Sequence, residues 1–350
     1  MRGNILRKGR RLLWAAAMAF GLAGLSGPAG AEIVTEEFTV SSSGDVKLYL
    51  RNKHSDSLYT ARPDKIVLFL HGASYPAHSS FDYAFEGRSW MDWLAAKGYD
   101  VYALDIRGYG KSTRPKEMAA PPEANPPVVD TTQALQDVTA AVDYILSRRG
   151  TQKLVLVGWS WGATLAGSFT VSQSDRVERL VLYAPQWLRE VVPPTEAEIA
   201  RVPAWRSVDP RNARDVWLKS VPEAQRASVL SKEAFAAWMS ATLASDPETA
   251  ASGTVRAPNG VVVDTMRYWA SGKPRWNPGR VTVPTLVIQG EYDAEAPPAM
   301  GMQVFNALSP NIFKRYVMVG GTTHAALLEG NRQQLYRAVQ EFLETPLQPH

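Results

Sequence analysis

The 350-residue chain contains no cysteine, which excludes disulfide cross-links, thiolate metal sites and every cysteine nucleophile. Its five histidines are scattered, and none shows the paired spacing of a zinc site. Internal repeats are absent. So is any apolar run long enough to cross a bilayer: the longest, Leu12 to Leu25, has 14 residues where a span needs roughly 20. A basic excess is missing too, once the amino terminus is set aside. Residues 1–31 combine Arg2, Arg7, Lys8, Arg10 and Arg11 with that apolar run and the small-residue end Ala29-Gly30-Ala31, the pattern of a secretory signal peptide. Their removal takes away five positive charges and no negative ones, so the formal +4 becomes −1. No basic surface is left to neutralise phosphates, and a nucleic-acid partner is not expected. The expected location is periplasmic or secreted, with no stable membrane anchor. Arg10-Arg11 leaves the Sec and twin-arginine routes both open.

Within the remaining chain, short apolar runs bounded by glycine and charge recur at Lys65 to Leu70, Asp100 to Leu104, Lys153 to Val157 and Val177 to Tyr183. Such runs are buried on both faces in a parallel sheet. Helical periodicity lies between them, most clearly over Thr131 to Arg149, where Leu135, Val138, Val142, Ile145 and Leu146 share a face, Asp130 caps the start and Gly150 ends it. The alternation resumes with a strand at Pro284 to Gly290, a helix at Pro298 to Leu308, a strand at Phe313 to Val319 and a closing helix at Ala325 to Phe342. An antiparallel pair, Ile33 to Val40 with Val46 to Arg51, comes first. The fold class is therefore α/β: a mostly parallel sheet with helices on both faces. From Gln186 to Trp276 the strand signal is lost and helix-like stretches rich in tryptophan take over, so 32–185 and 277–350 form the core and 186–276 a helical cap.

Gly158-Trp159-Ser160-Trp161-Gly162 falls between an expected strand and an expected helix, the context that makes GxSxG a nucleophile elbow. A serine hydroxyl needs an adjacent base, normally a histidine oriented by a carboxylate. His54 sits in a polar connection, His71 directly follows a strand, His78 lies in a loop and His350 is the last residue, which leaves His324 in Gly320-Gly321-Thr322-Thr323-His324, a loop after the last strand. The acid should come from the loop after the preceding strand, because catalytic groups gather at the carboxyl edge of an open parallel sheet. Asp293 in Gly290-Glu291-Tyr292-Asp293 is preferred there over Glu295 and over the runner-up Glu291. The order Ser160, Asp293, His324 is the nucleophile-acid-histidine order.

With His71-Gly72-Ala73, the turn Asp105-Ile106-Arg107-Gly108-Tyr109-Gly110-Lys111-Ser112, GWSWG, the Gly290–Asp293 turn and the His324 loop in this order, the sequence resembles the α/β-hydrolase superfamily over nearly all of residues 32–350. That resemblance implies an oxyanion hole formed by the backbone N–H groups of Ala73 and Trp161, a structural role for His71, and a structural turn around Asp105 and Arg107. It implies hydrolysis of a small-molecule carboxylic ester through an acyl-enzyme, with no cofactor and no metal. Proline iminopeptidases carry a similar elbow but usually HGGPG where this chain has His71-Gly72-Ala73-Ser74-Tyr75. Cofactor-free haloperoxidases and carbon–carbon bond hydrolases share the triad, and a binding protein on an inactive scaffold would normally have lost one of its members. A dehalogenase would place aspartate at Ser160. The acyl and alcohol groups and the oligomeric state are not encoded in these motifs.

Overall fold

The computed structural model describes residues 32–57 and 62–346. The expected signal peptide lies outside the described residues. No described helix is long and apolar enough to cross a membrane.

Eight strands form the central sheet in the order β1-β2-β4-β3-β5-β6-β9-β10. They are β1 (Ile33–Ser41), β2 (Lys47–Ser55), β3 (Ile66–Leu70), β4 (Asp100–Leu104), β5 (Leu154–Trp159), β6 (Val177–Tyr183), β9 (Thr285–Gly290) and β10 (Lys314–Val319). β2 runs antiparallel to both β1 and β4, and all remaining pairs are parallel. Two-residue alternation sorts the strand side chains between two apolar layers. Val67, Phe69, Val155 and Val157 pack with the helices Trp90–Ala95 and Arg332–Glu344. Ile66, Leu68, Leu154 and Leu156 pack with Thr131–Arg149 and Trp161–Ser172. Every residue of β3, β4 and β5 is consequently buried. The helix Thr131–Arg149 begins on a capping box between Asp130 and Gln133 and ends at Gly150, whose φ of 62° is left-handed.

Two expectations are corrected. The closing helix does not begin at Ala325: a 3-10 turn Ala326–Leu328 comes first, and the helix proper is Arg332–Glu344. The break arises where Glu329 turns its carboxylate back onto Thr323 and Gly330 donates its N–H to Val229 O, 3.0 Å away. The segment between β6 and β9 is not without strands either. It contains β7 (Trp205–Val208) and β8 (Val255–Pro258), paired antiparallel in a sheet of their own. Four-residue strands holding Arg206, Ser207 and Pro258 show no alternation from which to read them.

The strands of the parallel region end in register: Leu70 opposite Gly158, Trp159 opposite Tyr183, Tyr183 opposite Ile288, and Gly290 opposite Val319. The loops after β3, β5, β9 and β10 therefore emerge along one edge.

Candidate active site

β5 turns into the helix Trp161–Ser172 within a single residue, Ser160, at φ 58° and ψ −117°. A positive φ is uncommon for any residue but glycine, and here it is held from both sides. A Cβ on Gly158 would lie 2.1 Å from Gly162 O, and one on Gly162 would lie 2.0 Å from Leu70 O. Both glycines are thus sterically obligatory. Ser160 N–H donates to Tyr183 O on the neighbouring strand at 2.9 Å, which pins the turn to the sheet.

The loop after β3 passes close by. A Cβ on Gly72 would stand 3.3 Å from Ser160 Cβ, so residue 72 must be small for the chain to run beside the serine. Buried His71 bonds Gly72 O through Nδ1 at 2.7 Å and accepts Ile106 N–H at Nε2 at 3.1 Å. Those partners specify a neutral imidazole protonated on Nδ1, and burial pushes its pKa down in the same sense. Asp105 accepts the N–H groups of Ala77 and Lys111 at 2.8 and 3.0 Å, and Arg107 pairs with buried Asp137 rather than with Asp105. All three build the loop. Trp161 N–H belongs to the first turn of its helix, where no carbonyl of the helix can reach it. Neither it nor Ala73 N–H donates to any described residue. The Ala73 carbonyl is fixed by Tyr109 Oη at 2.7 Å and by Arg206 Nη2 at 2.6 Å.

His324 and Asp293 meet: Nδ1 stands 2.8 Å from Asp293 Oδ2. Asp293 is held in turn, its Oδ1 accepting the N–H groups of Glu295 and Ala296 at 2.9 and 2.8 Å and its Oδ2 accepting Gln289 Nε2 at 3.0 Å. Glu291, the alternative acid, faces elsewhere and accepts Gly321 N–H at 2.8 Å. The histidine backbone is anchored as well. Tyr183 Oη and Trp159 Nε1 both donate to His324 O, at 2.7 and 2.9 Å.

Sequence reasoning missed two carboxylates of this neighbourhood. Buried Glu329 accepts Thr323 N–H and Thr323 Oγ1, fixing the residue before His324. Burial pushes its pKa up to about 7 against these hydrogen bonds. Glu295, considered only as a possible acid, instead places Oε2 3.7 Å from His324 Nε2, the nitrogen facing away from Asp293. Burial works to lower the pKa of His324, but the charge of Asp293, then that of Glu295, outweighs it and carries the imidazole up to about 9. No hydrogen bond joins Ser160 Oγ to His324; the two meet by lining one cavity. A spacing of five residues from His324 or two from Asp293 carries no signal for either carboxylate, because the loop path decides what faces the imidazole.

That cavity, of about 540 Å³, is also lined by Ala73, Trp161, Tyr75, Trp217, Val261 and Trp269. Of the tryptophans in the 186–276 segment, Trp217 and Trp269 reach it. Trp238 packs on Trp217 and Tyr75, Trp187 on Trp276, and Trp205 Nε1 donates to Ala120 O. Among the described residues no three histidine, aspartate or glutamate side chains converge as metal ligands.

Comparison with known proteins places these features. A model of the alpha/beta hydrolase fold family matches residues 65–331. Epoxide hydrolase A of Mycobacterium tuberculosis is 33% identical over 122 residues, which is 35% of this chain and 34% of that protein. The (lyso)-N-acylphosphatidylethanolamine lipase of Homo sapiens is 30% identical over 115 residues, 33% of this chain and 30% of that protein. The chain thus spans about a third of the length of the curated relatives it matches. Among solved structures, a thermophilic esterase from Thermogutta terrifontis superposes with a TM-score of 0.56 at 17% identity, covering 88% of this chain and 98% of that one. An enol-lactonase from Burkholderia xenovorans gives 0.57 at 18% identity, covering 88% and 100%. On the family match, this chain belongs to the alpha/beta hydrolase fold family.

Proposed function

We propose that the protein is a serine carboxylic ester hydrolase working through an acyl-enzyme, with Ser160 as nucleophile, His324 as base and Asp293 as its orienting acid. The observation that carries this reading is the meeting of the Asp293–His324 pair with the strained Ser160 turn in one cavity. In the reaction Ser160 Oγ forms a bond to the ester carbonyl carbon while its proton passes to His324 Nε2. Asp293 stabilises the resulting imidazolium through Nδ1–H. The carbonyl oxygen, now an alkoxide, accepts the N–H groups of Ala73 and Trp161, which are free for it; one such donor is typically worth about 3 to 4 kcal/mol in the transition state. Collapse breaks the bond to the alcohol, which leaves with the proton from Nε2. Water then repeats the sequence on the acyl-enzyme, releasing the acid and restoring Ser160.

The epoxide hydrolase relatives do not redirect this reading. Opening an epoxide with a serine would leave an ether on Ser160, and an ether has no carbonyl through which water and the oxyanion donors could release it. The segment 186–276 acts in this proposal as a cap that shapes the acyl pocket, since Trp217, Val261 and Trp269 line it. The working enzyme is taken to be the exported form beginning at Glu32.

Labelling with an active-site-directed fluorophosphonate, beside turnover of p-nitrophenyl esters and of aminoacyl anilides, tests the proposal. Labelling should vanish in Ser160→Ala, and Asp293→Asn should lower ester turnover by about three to four orders of magnitude with the fold intact. An unlabelled protein, or a preference for a prolyl anilide, would overturn it.

A further inference from the structure

Two guanidinium groups line the cavity, Arg189 just after β6 and Arg206 in β7. Neither has a carboxylate within ion-pair distance among the described residues, but their situations differ. Arg206 is satisfied: Nη1 donates to Pro258 O and Asn259 Oδ1 at 2.7 and 3.1 Å, and Nη2 to Ala73 O and Ser74 Oγ at 2.6 and 3.3 Å. It serves as a strut between the insertion and the loop after β3. Arg189 has one acceptor only, Gln186 Oε1, which receives Nη2 at 2.5 Å. Its Nε is buried without any partner. A guanidinium offers five donors in a planar fork, so an arginine with most of that fork unused in a cavity is built to meet an acceptor the chain does not supply.

The base of this side chain is nonetheless fixed. Arg189 N–H donates to Trp269 O at 2.9 Å, and Gln186, its one side-chain partner, reaches Glu295 O through Nε2 at 3.5 Å. Burial works to lower the charge on Arg189, and only the more distant field of Glu295 opposes it. The other charges of the wall are accounted for: Glu295 faces His324, and Asp209 is paired with Arg211. Arg189 is therefore the cation of this wall whose donors are left unfilled, and one unfilled fork matches one carboxylate group. The planar fork suits a carboxylate, which can take two parallel N–H bonds from it.

We infer that Arg189 is the carboxylate-binding subsite of the cavity, and that the substrate is an ester carrying one free carboxylate, such as a half-ester of a dicarboxylic acid or a lactone acid. This rests on the reading of Ser160 as nucleophile and names its substrate class. A volume of about 540 Å³ holds a chain of several carbons between the scissile carbonyl and that carboxylate.

The test has two arms. In the first, kcat/KM is measured for mono-p-nitrophenyl glutarate and for its neutral methyl ester. The wild type should favour the half-ester, and Arg189→Met should lower the ratio between the two by about ten- to a hundredfold, the range expected for one charge-assisted hydrogen-bonded contact, with Arg189→Lys intermediate. In the second, monomethyl glutarate is titrated calorimetrically into Ser160→Ala protein with and without Arg189→Met, dimethyl glutarate serving as the neutral control. Binding of the monoanion should weaken by a similar factor, with melting temperatures confirming folded variants. A wild type indifferent to the carboxylate, or an Arg189→Met variant that loses both ligands equally, would overturn the subsite. Absence of all ester turnover would overturn the hydrolase reading instead, and the calorimetric arm would still decide on Arg189.

Discussion

Replacing Glu295 by glutamine should move the pH dependence of ester hydrolysis to lower pH. The proposed reaction needs His324 neutral, and two carboxylates favour its charged form: Asp293 at Nδ1, 2.8 Å away, and Glu295 at Nε2, 3.7 Å away. Opposite charges about 4 Å apart attract by about 1 kcal/mol in water and by about 4 kcal/mol at an effective dielectric constant of about 20. The Glu295 side chain is 38% exposed, so solvent screening places its effect toward the lower figure, about 1 kcal/mol. Since about 1.4 kcal/mol corresponds to one pH unit, losing the charge should lower the histidine pKa by about 0.5 to 1 unit. The sign follows from the imidazolium being the favoured partner of a negative charge: without Glu295 the proton leaves at lower pH, and the base is available sooner. kcat/KM, which reports groups of the free enzyme, would be followed titrimetrically on a neutral ester from about pH 5.5 to about pH 10. The wild-type acidic limb should lie near a pKa of about 9, and that of Glu295→Gln should be about 0.5 to 1 unit lower. A limb that stays in place, or moves up, would refute the assignment of Glu295 to the Nε2 side of the histidine.

A second expectation concerns stability. Glu329 has a folded pKa of about 7 against 4.5 in an unperturbed chain, so the folded state binds its proton more tightly. Its stabilising contribution is complete below about pH 4.5 and is lost as pH rises through about 7. Glu329→Gln, which keeps an acceptor for Thr323, should flatten that decline by roughly 1 to 3 kcal/mol in urea melts taken across the window; an unchanged slope would count against a buried, protonated Glu329. The tryptophans should divide by position. Trp217→Ala should shift the ratio of kcat/KM between short and long acyl esters, whereas Trp238→Ala, fully buried among Trp217, Tyr75 and Phe235, should cost about 3 to 5 kcal/mol of stability. Equal destabilisation by both, with no change in acyl profile, would make the insertion mere packing.

What could be read from the sequence was whatever obeys a local rule. The parallel strands announce themselves because burial on both faces makes them continuously apolar, and the GWSWG turn because its geometry excludes a Cβ at Gly158 and Gly162. Asp293 and His324 follow from where the last two strands end. The misreadings share one cause, the dominance of long-range contacts over local pattern. β7 and β8 are too short and too polar to show a period, and they exist because Trp205–Val208 finds Val255–Pro258 some fifty residues later. The helical periodicity around Ala325–Phe342 is genuine, but Glu329 abandons it to satisfy Thr323. Glu295 and Arg189 have no motif at all, since their significance lies only in the cavity they come to face.

The strut formed by Arg206 gives the insertion a place in the catalytic frame itself. Its guanidinium ties β7 and the end of β8 to the carbonyl of Ala73, the residue whose N–H would receive the oxyanion. A displacement of the insertion is thereby transmitted to the donor geometry at the reacting carbonyl, through two hydrogen bonds and no intervening loop. Substrate choice and turnover are then not separable properties of two parts of the chain. Exchanging the 186–276 segment for that of another member of the fold family would remove the brace along with the pocket wall.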